Sequence, residues 1–302
     1  MYRSPNRRHE HKFFYKYTSL QSAQTILVNR TLRFTSPLLF NDPFDVQRKL
    51  IFNFDTKQLG SSIKKEIRRL IETGASPDIT NNPKLQRLFK HAANMTAVQK
   101  QELLNQLDNG SWRDLYSLQS FQELEKKWES TIPRTHILCL SEKNDDPVMW
   151  NSYSDSYRGV VLKLECLDLY DNLLLIAEPV IYSDKVPAIG NLNYWIKSIT
   201  GQIPYDYNAI FKQLELTKTT SWSYEKEWRV ISFEKDEGKL YSNYIFHPLT
   251  FAGVFLGKDI AASDRNVLFA LTKHDLSHME FYGMSVDHKT RRIVFKKILK
   301  TT

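Results

Sequence analysis

The residue types best suited to chemistry stand together where one predicted strand begins. Residues 222–233 read WSYEKEWRVISF, and the apolar second half of this segment is typical of a buried strand. The first half carries four charged residues, Glu225, Lys226, Glu227 and Arg229. Charged side chains at the start of a buried strand are costly to desolvate unless they form ion pairs or contact a ligand. One interpretation is that the four residues form ion pairs at the end of the strand and have only a structural role. The other is that Glu227 projects into a cleft and contacts a ligand on which positive charge develops.

A polar turn supplies further carboxylates. Residues 40–45 read FNDPFD, where an Asn-Asp pair before a proline predicts a turn that the flanking phenylalanines anchor. This turn is either a structural corner or a loop that presents carboxylates to a ligand. In the second case, its two aspartates and the two strand glutamates would form an oxygen-only ligand set for Mg²⁺. A metal-dependent nuclease is therefore an alternative function, using Asp42, Asp45, Glu225 and Glu227.

The composition narrows the classes of function. The 42 Lys and Arg residues against 34 Asp and Glu give a net charge of +8, and the pI is near 9.2. This balance favours a polyanionic partner, such as nucleic acid or an acidic protein. The chain has only 10 glycines and neither GxGxxG nor GxxxxGK[ST], so it lacks the main signals of Rossmann and P-loop nucleotide sites. A basic binding module without enzymatic activity is the second alternative.

The cysteines and the hydropathy pattern predict a cytoplasmic protein. Cys139 and Cys166 are the only cysteines, and without a CxxC motif they are expected to be ordinary thiols in a reducing compartment. His274 and His278 are four residues apart, but no third ligand is evident and no metal site is predicted. The basic first 11 residues have no apolar signal sequence and are expected to be loose. No segment has the length of a membrane span.

Short strands interspersed with helices predict an α+β fold. Strands are predicted at residues 13–17, 31–35, 136–142, 159–164, 180–182, 228–233, 251–257 and 291–300. Helices are predicted at residues 20–29, 149–153, 205–216 and 261–277.

A helical insertion is predicted at residues 56–130, within a single domain that spans residues 12–302. One face of its first helix carries Ile63 and Ile67 at helical spacing among basic residues. Further along, Ser111 and Asp114 have the spacing of a capping box. We expect the basic face to be a solvated surface, with nucleic-acid contact as the alternative.

Several short blocks of the sequence form a recognisable set. They are YKYT at residues 15–18, LRF at 32–34, FNDPFD at 40–45, MWxxY at 149–153 with Arg158 and Gly159, and YEKEWR at 224–229. Together these blocks resemble a bacterial phage-defence and abortive-infection domain family of unknown function. They span residues 13–260 and leave the helical insertion unmatched.

The order of these elements resembles the ADP-ribosyltransferase superfamily, including its toxins that modify nucleic acid. In that superfamily the first strand usually carries His or Arg, the middle carries a Tyr or Ser motif, and the last strand carries the catalytic Glu. The Glu225-Lys226-Glu227 segment has the Glu-x-Glu form found in part of the superfamily, whereas Lys16 or Tyr17 stands at the position of the usual His. The resemblance implies a split mixed β-sheet core and NAD⁺ as the cofactor.

The resemblance also implies the roles of individual residues. Glu227 would be the catalytic carboxylate, because the ribose becomes oxocarbenium-like as nicotinamide leaves. Along a strand Glu225 and Arg229 would share its face, so that Arg229 orients Glu227 and Glu225 positions the acceptor. Lys16 or Arg33 would hold the diphosphate, and Trp150 or Tyr153 would stack on nicotinamide. The full set of expected NAD⁺ contacts is Lys16, Tyr17, Thr18, Arg33, Trp150 and Tyr153.

The expected partners follow from the same resemblance. The chain would be a toxin or anti-phage effector whose acceptor is nucleic acid, with RNA favoured over DNA. An active toxin needs a neutralising partner, which would be an antitoxin or a chaperone protein. No membrane association is expected.

Overall fold

The computed structural model describes residues 2–46, 49–52, 54–109, 118–185, 187, 189–233, 235 and 238–300, without the side chains of residues 56, 107–109 and 118–122. The chain divides into two compact units. The first, called the sheet unit here, comprises Met1–Val46, Ile132–Asp184 and Leu216–Thr302. The second, the helical unit, comprises Gln47–Thr131 and Lys185–Glu215.

The strands of the described residues all belong to the sheet unit. They are β1 (Phe13–Thr18), β2 (Thr31–Thr35), β3 (Thr135–Ser141), β4 (Val160–Glu165), β5 (Glu178–Pro179), β6 (Ile181–Tyr182), β7 (Thr217–Lys218), β8 (Glu227–Phe233), β9 (Tyr241–Ile245), β10 (Phe251–Leu256), β11 (Glu280–Asp287) and β12 (Arg292–Ile298). The sequence predicted the others but not β5, β7, β9 or β11.

The helices are divided between the two units. They are α1 (Leu20–Asn29), α2 (Thr56–Glu72), α3 (Pro83–Ala93), α4 (Ala97–Asn109), α5 (Leu118–Thr131), α6 (Pro147–Tyr153), α7 (Leu192–Ile199), α8 (Tyr207–Glu215) and α9 (Ala262–Leu271). Helices α1, α6 and α9 belong to the sheet unit and the others to the helical unit. Helix α9 ends six residues before the sequence predicted, and α7 was not predicted. Within the described part of the chain, no helix combines the length and the hydrophobicity that a transmembrane span requires.

Ten strands of the described residues form one mixed sheet, so the α+β class is confirmed. The strand order is β12-β11-β10-β4-β1-β3-β2-β9, with β8 paired to β3 and β5. The β10–β11 pair is parallel, and the other pairs of this sheet are antiparallel. Strands β6 and β7 form a separate parallel pair.

Alternating apolar residues fix one face of this sheet against helices α1 and α9. Phe14 of β1 and Leu162 of β4 are fully buried in the same cluster as Ala23 of α1 and Leu268 of α9. The Ser19 hydroxyl caps the start of α1 by accepting a hydrogen bond from the Ser22 amide. Burying an aliphatic or aromatic side chain of this size stabilises the fold by about 1.5–3 kcal/mol. This packing holds β1 and β4 in a fixed register.

The sheet splits along one edge of β3. Strand β8 pairs with β3 over its full length, from Thr135↔Phe233 to Ser141↔Glu227. Strand β1 meets β3 near its end, at Tyr15↔Ser141, whereas β2 meets it near its beginning, at Thr35↔Ile137. Strands β1 and β2 therefore diverge over the middle of β3. There the Lys16 ammonium donates a hydrogen bond to the carbonyl oxygen of Cys139 at 3.0 Å.

The basic N-terminal segment is packed, and the expectation of a loose segment was wrong. The Arg7 guanidinium donates to both carboxylate oxygens of Asp168 and to the carbonyl oxygen of Cys166, each at 2.8 Å. The His9 ring is buried and bonded to the carbonyl oxygen of Leu174 at 2.8 Å. The polar composition of this segment suggested that it would be exposed to water. Its hydrogen-bond partners lie in residues 166–174, which are distant in sequence.

A left-handed turn follows α6. Asp155, Ser156 and Tyr157 have consecutive positive φ angles of 47°, 50° and 67°. The chain then passes close to its neighbours, because a Cβ on Gly159 would lie 2.4 Å from the carbonyl oxygen of Thr18. A Cβ on Gly257 would lie 2.0 Å from the carbonyl oxygen of Tyr157. Both positions therefore require glycine.

The helical unit has its own apolar core. Ile63 and Ile67 of α2 are fully buried, as their spacing predicted. The unit also includes residues 185–215 with helices α7 and α8, a segment that the sequence analysis did not assign to the insertion. The predicted capping box at Ser111 and Asp114 lies outside the described residues.

Candidate functional site

A cavity of about 430 Å³ opens in the sheet unit where β1 and β2 diverge. Its volume lies within the usual range for small-molecule sites, about 300–1,000 Å³. Its walls come from β1, β2, β3, α6, the 40–45 turn, β7 and the start of β8. The lining residues are Tyr15, Lys16, Tyr17, Arg33, Thr35, Leu39, Phe40, Asn41, Asp45, Ile137, Cys139, Leu140, Ser141, Met149, Ser152, Tyr153, Lys218, Glu225 and Glu227.

The two glutamates reach this cavity from different kinds of backbone. Glu225 ends a 3₁₀ turn, Lys226 is left-handed with φ of 47°, and β8 begins only at Glu227. The expectation that strand alternation aligns Glu225 with Glu227 was therefore wrong. A hydrogen bond from the Ser141 hydroxyl to the carbonyl oxygen of Glu225, at 2.6 Å, fixes the end of the turn instead.

Arg229 binds two carboxylates at the buried end of the cavity. Its Nε donates to Oε1 of Glu227 at 2.7 Å, and its Nη2 donates to Oδ2 of Asp45 at 2.6 Å. Alternation along β8 does bring Arg229 and Glu227 to one face, and both side chains are almost completely buried. This contact fixes the orientation of the Glu227 carboxylate.

Lys218 is a member of the site that the sequence analysis missed. Its ammonium lies 2.6 Å from Oε2 of Glu225, 3.0 Å from Oε2 of Glu227 and 3.8 Å from Oδ2 of Asp45. It belongs to β7, a strand of two residues. A strand this short has no periodicity, so the sequence carried no signal for it. We call Asp45, Lys218, Glu225, Glu227 and Arg229 the ion cluster.

The two glutamates have opposite pKa shifts. Burial, together with the negative charge of Glu227, raises the pKa of Glu225. These effects exceed the opposing effects of Lys218 and of the Tyr153 hydroxyl, which donates to Oε1 at 2.6 Å. Burial also acts to raise the pKa of Glu227, but Arg229 and Lys218 outweigh it and lower that pKa to about 2. Glu227 is therefore the carboxylate that remains ionised, and Glu225 is the one that accepts a proton more readily.

The expected NAD⁺ contacts separate into two groups. Tyr17 and Tyr153 line the cavity, whereas Trp150 and Thr18 are not among its lining residues. Trp150 is fully buried, its indole N–H donates to the carbonyl oxygen of Asn144 at 2.7 Å, and its ring packs against neighbouring aromatic residues. A ring enclosed in this way has no free face, so the expectation that it stacks on a ligand was wrong.

The two basic residues predicted to contact the diphosphate both line the cavity. Lys16 is half-buried where the sheet splits, and Arg33 is exposed on β2. The Arg33 guanidinium lies 4.2 Å from the ring centroid of Tyr241, which limits its freedom. Arg33 therefore supplies positive charge on the exposed side of the cavity, whereas the Lys16 ammonium is hydrogen-bonded to the backbone of β3.

The acidic residues of the 40–45 turn have different environments. Asp45 belongs to the ion cluster, whereas Asp42 is buried, does not line the cavity and accepts a hydrogen bond from the Phe44 amide at 2.9 Å. Among the described residues, no group of three or more His, Cys, Asp or Glu is arranged to hold a metal ion. Lys218 and Arg229 bind the clustered carboxylates instead.

Comparison with known proteins gives one match. Residues 149–230 match a family described as a protein of unknown function, DUF2971. This region includes Tyr153, Lys218 and the charged start of β8, but not Lys16 or Asp45. No curated protein and no solved structure matches the chain. The match agrees with the resemblance to an uncharacterised domain family.

Proposed function

We propose that this chain is an NAD⁺-dependent ADP-ribosyltransferase that modifies nucleic acid, with Glu227 as its catalytic carboxylate. The observation that carries the proposal is the polarity of the cavity. Its buried end holds three carboxylates against two cations, and its lining also includes the half-buried Lys16 and the exposed Arg33. NAD⁺ has the complementary polarity, since its nicotinamide ring is cationic and its diphosphate is anionic.

The lining residues fit NAD⁺ in three further respects. The volume of about 430 Å³ suits a nucleotide fragment. The rings of Tyr17, Phe40 and Tyr153 give the cavity aromatic walls. Oδ1 of Asp45 is a buried acceptor without a hydrogen-bond partner among the described residues, and it lies in a residue that lines the cavity. Lys16 and Arg33 would hold the diphosphate in place of a glycine-rich loop.

When bound, NAD⁺ supplies the ADP-ribosyl group, whose C1′ forms a bond to the acceptor as the bond to nicotinamide breaks. Glu227 is suited to stabilise the positive charge that develops on the ribose, because its low pKa keeps it ionised. Arg229 and Lys218 hold its two oxygens in place, so little reorganisation is needed during the reaction.

Glu225 is suited to accept the proton that the acceptor loses. Its raised pKa brings it closer to neutral pH, and the Tyr153 hydroxyl fixes its Oε1. Two adjacent carboxylates with opposite pKa shifts are the usual arrangement for dividing charge stabilisation from proton transfer. The acceptor is proposed to be nucleic acid, because the chain has a net charge of +8. RNA is proposed over DNA on the resemblance alone. A toxin of this kind would be neutralised by an antitoxin or a chaperone protein.

One incubation tests this function. Purified protein is mixed with RNA or DNA and labelled NAD⁺, with and without chelator. Transfer of label to nucleic acid that resists the chelator is the expected result. Chain cleavage that requires a metal would replace the proposal with the nuclease alternative, and salt-sensitive binding alone would replace it with the inert module.

The same assay tests the assigned residue. Glu227→Gln should lower the transfer rate by about 10²–10³-fold, because a neutral amide cannot stabilise the ribose charge. Glu72→Gln, the same change on the exposed face of α2, is the matched control and should leave the rate unchanged. An undiminished rate in Glu227→Gln would remove Glu227 from the catalytic role.

A further inference from the structure

We infer that Asp45 is a ligand-contact residue of this cavity, whose Oδ1 accepts a hydrogen bond from an N–H or O–H group of the bound nucleotide. The inference rests on the proposed function and specifies how the site recognises its ligand. Asp45 lies outside the region that matches the uncharacterised family, so that match gives it no role.

The first observation is an unequal use of the two carboxylate oxygens. Oδ2 of Asp45 accepts from Nη2 of Arg229 at 2.6 Å and lies 3.8 Å from the Lys218 ammonium. Oδ1 is buried and has no hydrogen-bond partner among the described residues. A buried acceptor without a partner is costly, and most such atoms in native proteins are found to bind something. Since Asp45 lines the cavity, the missing donor is expected from the cavity side.

The second observation is that the Asp45 side chain cannot relieve this deficit alone. Its side chain is only 3% exposed, and the Asp45 amide donates to the carbonyl oxygen of Asp42 at 3.2 Å within the turn. Arg229 is fixed in turn by Glu227. Rotating the carboxylate by half a turn exchanges its oxygens but still leaves one of them unpaired. The unpaired oxygen is therefore a fixed feature of a residue that lines the cavity.

The chemistry of the ligand group follows from the acceptor. A carboxylate oxygen binds N–H and O–H groups and repels phosphate oxygens. NAD⁺ offers such donors in its carboxamide and its ribose hydroxyls. Arg229 binds both Asp45 and Glu227, so the two carboxylates belong to the same end of the cavity. Asp45 is therefore expected to bind the nicotinamide riboside part of the ligand rather than its diphosphate.

Asp45→Asn is the decisive variant because it reverses the polarity at one atom. The amide oxygen of Asn can still accept a hydrogen bond from Arg229. The NH₂ group then occupies the position of Oδ1 and cannot accept a hydrogen bond from the N–H or O–H group of the ligand. Asp42→Asn is a matched control on the same turn. Like Asp45, Asp42 has one carboxylate oxygen without a partner among the described residues. Its other oxygen accepts from the Phe44 amide, and Asp42 does not line the cavity.

The measurement is NAD⁺ binding by calorimetry, without acceptor, so that it does not depend on turnover. Asp45→Asn should weaken NAD⁺ binding by about tenfold to a hundredfold, and Asp42→Asn should change it by less than about threefold. Far-ultraviolet circular dichroism checks that both variants are folded. Equal binding by wild type and Asp45→Asn would overturn the inference and leave the proposed function standing. No NAD⁺ binding by the wild type would overturn both.

A second arm, in the wild type and in Asp45→Asn, identifies the donor. The probe is 3-acetylpyridine adenine dinucleotide, in which a methyl group replaces the carboxamide NH₂. If Asp45 binds the carboxamide, this analogue binds the wild type more weakly than NAD⁺ does, and Asp45→Asn does not weaken it further. If Asp45 binds a ribose hydroxyl, the variant weakens both ligands equally. A crystal structure of the complex in which Oδ1 contacts only water would overturn the inference.

Discussion

Two regions of the chain carry similar runs of charge but use them differently. On α2 of the helical unit, Arg69 pairs with Glu66 at 2.7 Å and Arg68 pairs with Glu72 at 3.4 Å. These pairs span three or four residues of one helix, and their side chains are 16% to 55% exposed. In the ion cluster of the sheet unit, the charged side chains are at most 5% exposed and come from three separate segments.

The difference shows that burial, and not the density of charge, determines what a charged run does. Exposed pairs are screened by water, and each contributes little to stability. Buried charges interact strongly and shift the pKa values of their neighbours, so removing one partner has a large effect. In the sequence, EKEWR and KKEIRR look alike, and only the buried strand that follows the first of them distinguishes the two.

The largest effect is expected from breaking the ion cluster. Arg229→Met should lower the free energy of unfolding by about 3–5 kcal/mol, because Glu227 and Asp45 are left buried without their shared partner. Urea unfolding followed by circular dichroism measures the change. A loss below about 1 kcal/mol would mean that the ion cluster behaves like the exposed pairs on α2.

A smaller effect is expected at the second glutamate. Glu225→Gln should lower the proposed transfer rate by about 10²-fold at neutral pH, because the amide cannot accept a proton. In the wild type the rate should rise with pH through the raised pKa of Glu225, which lies above the ordinary value of 4.5. A pH–rate profile in both proteins measures this, and the variant should lose the acidic limb. An unchanged limb would assign it to another group.

The acid stability of the sheet unit tests the ionised glutamate. Because the pKa of Glu227 is lowered, its contribution to stability is complete above the ordinary carboxyl value of 4.5. That contribution is lost as the pH falls towards about 2. The dependence of the unfolding free energy on pH should therefore be shallower in Glu227→Gln between these values. Asp168 also has a pKa lowered to about 2, held by Arg7, so some dependence remains in the variant.

The smallest effect is expected on α2. Glu72→Gln removes the pair with Arg68 and should lower the free energy of unfolding by less than about 0.5 kcal/mol. Urea unfolding at low and high salt measures the change, and salt should reduce it further. A loss comparable to that of Arg229→Met would contradict the contrast between the two regions.

The sequence predicted the elements that have a clear local apolar pattern. Short apolar segments predicted β1, β4 and β10, and residues 20–29 were predicted as the helix that is α1. The unpredicted strand β9 alternates buried and exposed residues, but it is short and its outward residues include apolar ones. The division of the chain into units depends on residues 185–215, whose contacts with residues 47–131 are distant in sequence.

The residues of the site were predicted correctly only where they lie on a strand with a clear local pattern. Glu227 and Arg229 were paired correctly because they alternate along β8. The position of Glu225 depends on the left-handed Lys226, which no residue preference indicates. Lys218 comes from a two-residue strand, and Trp150 is enclosed by residues from other elements. Packing between segments that are distant in sequence determines the positions of these residues. The local pattern of a single sequence does not show such packing.

The left-handed turn after α6 affects the thermal stability of the protein. Glycine fits such a conformation better than Asp155, Ser156 or Tyr157 does, so a substitution such as Ser156→Gly should make the protein more resistant to heat. The chain nevertheless keeps Tyr157, whose ring lies parallel to that of Trp150 and whose hydroxyl donates to the carbonyl oxygen of Pro147 at 2.9 Å. The strained turn thus places Tyr157 against α6, the helix that carries Tyr153.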